Sequence, residues 1–367
     1  MNIVINTKTV SKHYCFDQQF FFVDCIVKII NDHPEHSFFL IAEIDVSKFL
    51  SSENVVFIDS APTSGNIILW KIWYGYKLPA ILKKYKAAIF INMDPICSLK
   101  TQVPQCVLLP DLAFPDYASF FKKNISAFLE KATSIITFSQ WAKNEICKQY
   151  SSLAAEKITV IHNGVNENIL QKNKIENTKE KFAEGKEYFL FAGDIATQQY
   201  LVNLLKAFSF FKKRQKSNMQ LIIATKAFLP NNTFAKSLKS YKYRDDIKLL
   251  VDLQKEELIK ITHAAYAFIY ALQQTGFYIP VLKAMQSEVP VIAGYSPILA
   301  EIFEDAILYT DAAVFENIAD KMMILFKDEG KRSGLINKGK KLAEKYPLAV
   351  SNQLFWENIV KSASAIF

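Results

Sequence analysis

Glycine is scarce in this chain, with 10 among 367 residues where an average protein has roughly 7%. A ligand that needs close backbone approach can therefore be met at very few positions. The five cysteines, Cys15, Cys25, Cys97, Cys106 and Cys147, are odd in number, form no CxxC pair and show no ligand-like spacing with the five histidines. That usage reads as a reduced, cytoplasmic protein without structural zinc, and no metal is expected. Long apolar runs are missing too. The best, residues 20–30, is broken by Asp24 and Lys28 and is too short to span a bilayer, and residues 1–9 carry no secretory apolar region. The expectation is a protein that is soluble or peripheral to the inner face of the membrane. The chain has no nucleic-acid motif, no internal repeat and no low-complexity tract.

What is present is an ordinary globular composition, half apolar, long enough for two domains. The net charge of +8 is spread over clusters such as Lys83 and Lys84, Lys122 and Lys123, and Lys212, Lys213 and Arg214. Such scatter reads first as solvated helix faces and second as a mild attraction for phosphorylated ligands or an anionic membrane. Short apolar runs at 3–5, 38–41, 55–58, 87–91, 106–109, 135–138 and 158–161 predict strands. Helical patterns at 67–85, 117–132 and 141–150 lie between several of them, the last with Ser139 as N-cap. A polar stretch at 166–186 is expected to connect the domains.

The alternation then restarts: strands at 188–192, 220–224, 247–251, 267–271 and 306–309, with helices at 199–213, 234–241 and 255–263. Helices at 317–326, 331–345 and 351–363 finish the chain. The expected architecture is α/β, two Rossmann-like doubly wound domains facing a cleft, over residues 1–165 and 187–345. Residues 346–367 are expected to pack back toward the first domain.

The stretch 275–294 organises the second half. It predicts a tight turn, a helix with Pro280 in its first turn, and a buried strand closed by Gly294. A helix start at the carboxyl end of a parallel strand is where an α/β sheet commonly binds an anion or nucleotide. The aromatic and basic segment 70–86 reads mainly as a helix packed on the sheet, with a membrane surface as the alternative.

Nearly end to end, the residues resemble the family 4 glycosyltransferases (glycosyl transferases group 1, GT-B fold), which transfer sugar from a nucleotide-sugar donor with retention. The likeness is carried by Ile5-Asn6-Thr7-Lys8, by Asp111-Leu112-Ala113-Phe114 and by Ile161-His162-Asn163-Gly164-Val165. Phe191-Ala192-Gly193, Gly276 to Met285, Val289-Pro290-Val291-Ile292 and Glu301-Ile302 continue it. The resemblance implies a nucleotide-sugar donor, a glycan or lipid-linked acceptor, no separate cofactor, and a role in polysaccharide assembly.

It also shows where this chain departs. The Arg and Lys expected after the first strand of the second domain are Gln198 and Gln199, and the two glutamates expected around the later helix are Thr275 and Lys283. The His expected before Asp111 is Pro110, and Tyr278 fills a glycine position where a diphosphate would meet the helix start. The family-equivalent catalytic positions are thus Pro110, Asp111, Thr275 and Lys283. The nucleotide-sugar candidates are Asn163, Gly164, Gly193, Gln198, Gln199, Lys226, Gly276, Phe277, Tyr278 and Glu301. These departures imply impaired or altered activity; the alternative is a non-catalytic binding or scaffold partner of an active glycosyltransferase.

Overall fold

A computed structural model describes residues 1–7, 16–41, 53–58, 67–110, 112, 119–166, 177–193, 198–225, 233–270 and 278–366. The chain divides into two compact units, crossing from the first to the second between Asn163 and Gly164 and returning between Pro347 and Leu348.

In the first unit, β1 (Asn2–Asn6), β2 (Ser37–Ile41), β3 (Val55–Ile58), β4 (Ile89–Asn92), β5 (Gln105–Leu108), β6 (Ser134–Thr137) and β7 (Ile158–Val160) form one parallel sheet. Its order is β3-β2-β1-β4-β5-β6-β7, so the winding reverses between β1 and β4. Runs such as Ile89, Phe90 and Ile91 are buried on both faces, as a parallel sheet covered by helices requires. The covering helices are α1 (Phe16–Asp32), α2 (Ile67–Ile72), α3 (Leu78–Lys84), α4 (Ser119–Lys131) and α5 (Gln140–Gln149). The Ser139 hydroxyl accepts the Ala142 N–H at 3.1 Å, the N-cap its sequence position predicts. Between α2 and α3 the helix continues through one π turn, Trp73–Lys77, in which the Leu78 N–H reaches back to the Trp73 carbonyl. Trp70, Trp73, Tyr74, Leu78, Ile81 and Leu82 bury one face of this segment against the sheet core.

The second unit repeats the plan. α6 (Thr178–Ala183) precedes β8 (Tyr188–Ala192), α7 (Gln198–Gln215), β9 (Gln220–Thr225), α8 (Thr233–Lys239), β10 (Ile247–Val251), α9 (Lys255–His263) and β11 (Ala267–Tyr270). Then follow α10 (Ile279–Gln286), β12 (Val291–Gly294), α11 (Pro297–Phe303), β13 (Ile307–Thr310), α12 (Phe315–Lys327) and α13 (Glu329–Ala343). The sheet is parallel with order β10-β9-β8-β11-β12-β13, and reverses between β8 and β11. Phe189, Phe191, Phe208, Phe211, Ile269, Ile292 and Met322 fill its core on the α7 and α12 side.

α6 falls within the stretch read as a polar connection; Thr178 and Ala183 are buried, and Lys181 pairs with Glu257 of α9 at 2.7 Å. The basic run in α7 also divides. Lys213 and Arg214 are solvated as expected, but Lys212 is buried, 2.9 Å from Asp246 and donating to the Met219 carbonyl. The last helix, α14 (Leu348–Ala363), belongs to the first unit. Its Asn358 accepts from the Ser134 hydroxyl at 2.8 Å and donates to Thr159 Oγ1 at 2.9 Å.

Candidate functional site

In a doubly wound sheet, ligands bind outside the carboxyl ends of the strands where the winding reverses. In the second unit that point lies between β8 and β11. Gly193 directly follows β8, its N–H bonded to the Ala224 carbonyl of β9 at 3.0 Å. A Cβ at Gly193 would sit 3.3 Å from the Phe191 ring, so the missing side chain keeps this strand end slim. The next helix, α7, begins at Gln198 and Gln199, whose backbone sits at its amino-terminal end. After β11 the next helix is α10, with Tyr278 at its N-cap and Pro280 in its first turn. Two helix starts thus follow two adjacent strands, and the positive end of each helix dipole favours a phosphate there.

Tyr278 takes φ −120 and ψ 19, backbone that any residue adopts, so the change from the family's glycine introduces no strain. Its ring is fully buried and meets Phe303 of α11 edge-on, centroids 5.4 Å apart. The ring packs on α11, where burial removes its apolar surface from water. The N–H groups of Val281 and Leu282 bond to the Tyr278 carbonyl at 3.1 Å, and Pro280 has no N–H. The start of α10 therefore offers a ligand its dipole more than its amides.

Lys283 lies on the half-exposed stripe of α10 that Pro280 and Gln286 share, while Ile279, Val281, Leu282, Ala284 and Met285 face the core. Gln286 donates to the Asn166 carbonyl at 2.8 Å. Glu301 is exposed on α11; with Glu304 it adds to the burial that holds the Tyr346 hydroxyl above its ordinary pKa. Asp111, Lys226, Thr275, Gly276 and Phe277 lie outside the described residues, as do the side chains of Gln198 and Gln199.

In the first unit, Pro110 follows β5 and is buried, its carbonyl accepting from Thr137 Oγ1 at 3.3 Å. Asn163 follows β7 and is fully buried; Gly164, where the long segment of the second unit begins, is buried too. The segment around them is fixed by residues near the start of α14: Ser351 donates to the His162 carbonyl at 2.7 Å, and the Val165 N–H to the Tyr346 carbonyl at 3.0 Å.

Two features escaped the sequence reading. At the reversal point of the first sheet, Asn6 and Asn92 end β1 and β4 and bond to each other in the core. The signal was available as an asparagine closing each of two apolar runs, Ile3 to Ile5 and Ile89 to Ile91. The second is a cavity of about 580 Å³ at the carboxyl end of β13, lined by Tyr295, Tyr309, Asp311, Asp320 and Lys321. It needs the fold to assemble, and no local pattern announces it. Among the described residues no cluster of side chains could hold a metal ion, and no helix is long and apolar enough to cross a membrane.

Comparison with known proteins adds to this geometry. Residues 172–342 match the family model described as glycosyl transferases group 1. The chain is 28% identical over 257 residues to the O-antigen chain mannosyltransferase RfbU of Salmonella typhimurium, covering 65% of this chain and 66% of that curated relative's length. Among solved structures, a glycosyltransferase from Rickettsia africae superposes with a TM-score of 0.78 at 16% identity, over 99% of each chain. Alr3699/HepE of Anabaena, crystallised with UDP-glucose, superposes with a TM-score of 0.77 at 14% identity, over 98% of this chain and 100% of that one. The fold is thus GT-B, two Rossmann-like units. Over residues 172–342, in the second unit, the chain is similar to the glycosyl transferases group 1.

Proposed function

We propose that this chain is a hexosyltransferase of the family 4 type, taking sugar from a nucleotide-sugar donor in polysaccharide or glycoconjugate assembly, with a transfer step that is slow or altered. The observation that carries this reading is the pair of helix starts, α7 and α10, after the adjacent strands β8 and β11. There the helix dipoles favour the diphosphate that leaves during transfer. The mannosyl activity of the Salmonella relative makes mannose the first donor sugar to try. The acceptor on this reading is a glycan, free or lipid-linked, met on the cytoplasmic side of the membrane.

The slow step follows from the substitutions. Removing one preorganised charge typically costs about 2.7 to 4 kcal/mol of barrier, and losses within one site do not simply add. Gln198 and Gln199 keep hydrogen-bond donors where the family has cations, and Lys283 brings a positive charge where it has a carboxylate. The test is turnover of UDP-, GDP- and dTDP-sugars with a glycan acceptor at high protein concentration, where slow release of nucleoside diphosphate is expected.

The second reading is a non-catalytic partner of an active glycosyltransferase. It is favoured by the concentration of changes at Gln198, Gln199, Thr275 and Lys283 while the strand and helix pattern stays intact. Co-purification with an active transferase and absence of turnover by the isolated chain would select it.

A further inference from the structure

The cavity at the carboxyl end of β13 lies two strands beyond β11, at the edge of the described second sheet, and the donor reading gives it no role. Two tyrosines form its corner. Tyr295 directly follows β12 and is 61% exposed, its N–H held by the Thr310 carbonyl at 2.9 Å. Tyr309 meets it edge-on, centroids 5.8 Å apart and planes at 72°, and its hydroxyl is anchored on the Leu299 carbonyl at 2.8 Å. The remaining wall is α12, where Asn317, Asp320 and Lys321 share one face at helical spacing. Asp311, on the turn between β13 and α12, is held by the Ala313 N–H, which donates to its Oδ1 at 2.9 Å. Thr310 is 7% exposed, and its hydroxyl oxygen, buried beside the cavity, pairs with nothing among the described residues.

We propose that this cavity binds a neutral sugar unit of a glycan, with the Tyr295 ring as the platform and the α12 side chains as hydroxyl partners. A pyranose has a face of C–H bonds and a rim of hydroxyls. The negative face of an aromatic ring attracts polarised C–H groups and shields them from water. Carboxylate acceptors, an amide that both donates and accepts, and an ammonium donor together match hydroxyls, which also do both. The Thr310 hydroxyl gains a partner once a sugar hydroxyl settles beside it. A volume of about 580 Å³, with an aromatic corner and a few convergent polar groups, has the size and make-up of a small-molecule site. Two carboxylates against one ammonium oppose a phosphorylated ligand, so this is no second donor site, and the Lys321 ammonium opposes a divalent cation. The inference concerns the second unit alone and stands whether or not the donor reading holds.

Saturation-transfer NMR and calorimetric titration of the full chain with neutral trisaccharides of mannose, glucose, galactose and N-acetylglucosamine test it. At least one trisaccharide is expected to bind at millimolar concentration or below, with its ring C–H protons receiving the strongest saturation. Tyr295→Ala and Asp320→Ala are each expected to weaken that binding at least about tenfold. Their melting temperatures should stay close to that of the wild type, since both side chains are exposed. Tyr295→Phe keeps the ring face and is expected to bind within about threefold of the wild type. The proposal is overturned if no trisaccharide binds the wild type at millimolar concentration, or if both alanine variants bind as the wild type does. It is equally overturned if Tyr295→Phe loses as much as Tyr295→Ala, or if the alanine variants lose nucleotide-sugar binding, which would make the cavity part of the donor site.

Discussion

The side-chain amide of Asn6 donates to Oδ1 of Asn92 across 2.9 Å, tying the last residue of β1 to the last residue of β4. Asn92 passes the link on, donating to the Tyr74 hydroxyl in the π turn at 3.0 Å and to the Ile96 carbonyl at 2.8 Å. One buried amide thus joins the reversal point of the first sheet, the distorted turn of the helix above it and the loop after β4. Asn92→Ala leaves several buried partners without it, and a loss of about 2 to 3 kcal/mol in urea unfolding is expected. A loss below about 0.5 kcal/mol would mean that water replaces the amide.

Tyr278 is expected to be a core residue before anything else. Tyr278→Gly restores the family's glycine but removes a fully buried ring from Phe303, and about 3 to 5 kcal/mol of stability should go with it. Unchanged stability together with tighter donor binding would instead identify the ring as a plug.

Gly339 of α13 touches α10 at close range, since a Cβ there would lie 2.9 Å from Met285 Cγ. The clashing atom is near the base of the methionine, so the side chain cannot simply swing aside. Gly339→Val is expected to destabilise by about 1 to 3 kcal/mol through overpacking, measured by thermal or urea unfolding. Because Met285 sits two residues from Lys283, donor affinity should fall in the same variant.

Burial raises the Cys106 thiol from 9.0 to about 12, and pushes the Cys97 thiol up as well. Both pKa values are raised in the folded state, so the unfolded chain loses these protons first. Their contribution to stability is complete below about pH 9 and declines as pH climbs from there through about 12. Urea midpoints across this range should fall accordingly. At mildly alkaline pH Cys147 is expected to alkylate in the native protein while Cys97 and Cys106 react only after unfolding.

Strand positions were legible because parallel strands buried on both faces leave short, wholly apolar runs, as at Ile89 to Ile91 and Val291 to Ala293. The start of α10 was legible through Pro280, and that of α5 through Ser139. For Tyr278 the sequence places a residue at a helix start, but the packing of α11, which the sequence does not show, sets its ring against Phe303. The burial of Lys212 was not visible either, since its partner Asp246 is 34 residues away and the pair forms only when the turn before β10 meets the end of α7. The Asn6 and Asn92 pair spans 86 residues and is beyond any local periodicity.

The central claim, a donor site framed by β8 and β11 and weakened by substituted charges, is tested most directly by calorimetric titration. UDP-, GDP- and dTDP-sugars are titrated into the wild type and into a variant carrying Gln198→Arg, Gln199→Lys, Thr275→Glu and Lys283→Glu. The account expects one donor to bind the wild type weakly and the variant at least about tenfold tighter, the equivalent of a single restored charge interaction. Binding by the variant alone would select the non-catalytic reading. If no donor binds either chain, the site is not where the fold places it, and the account is contradicted.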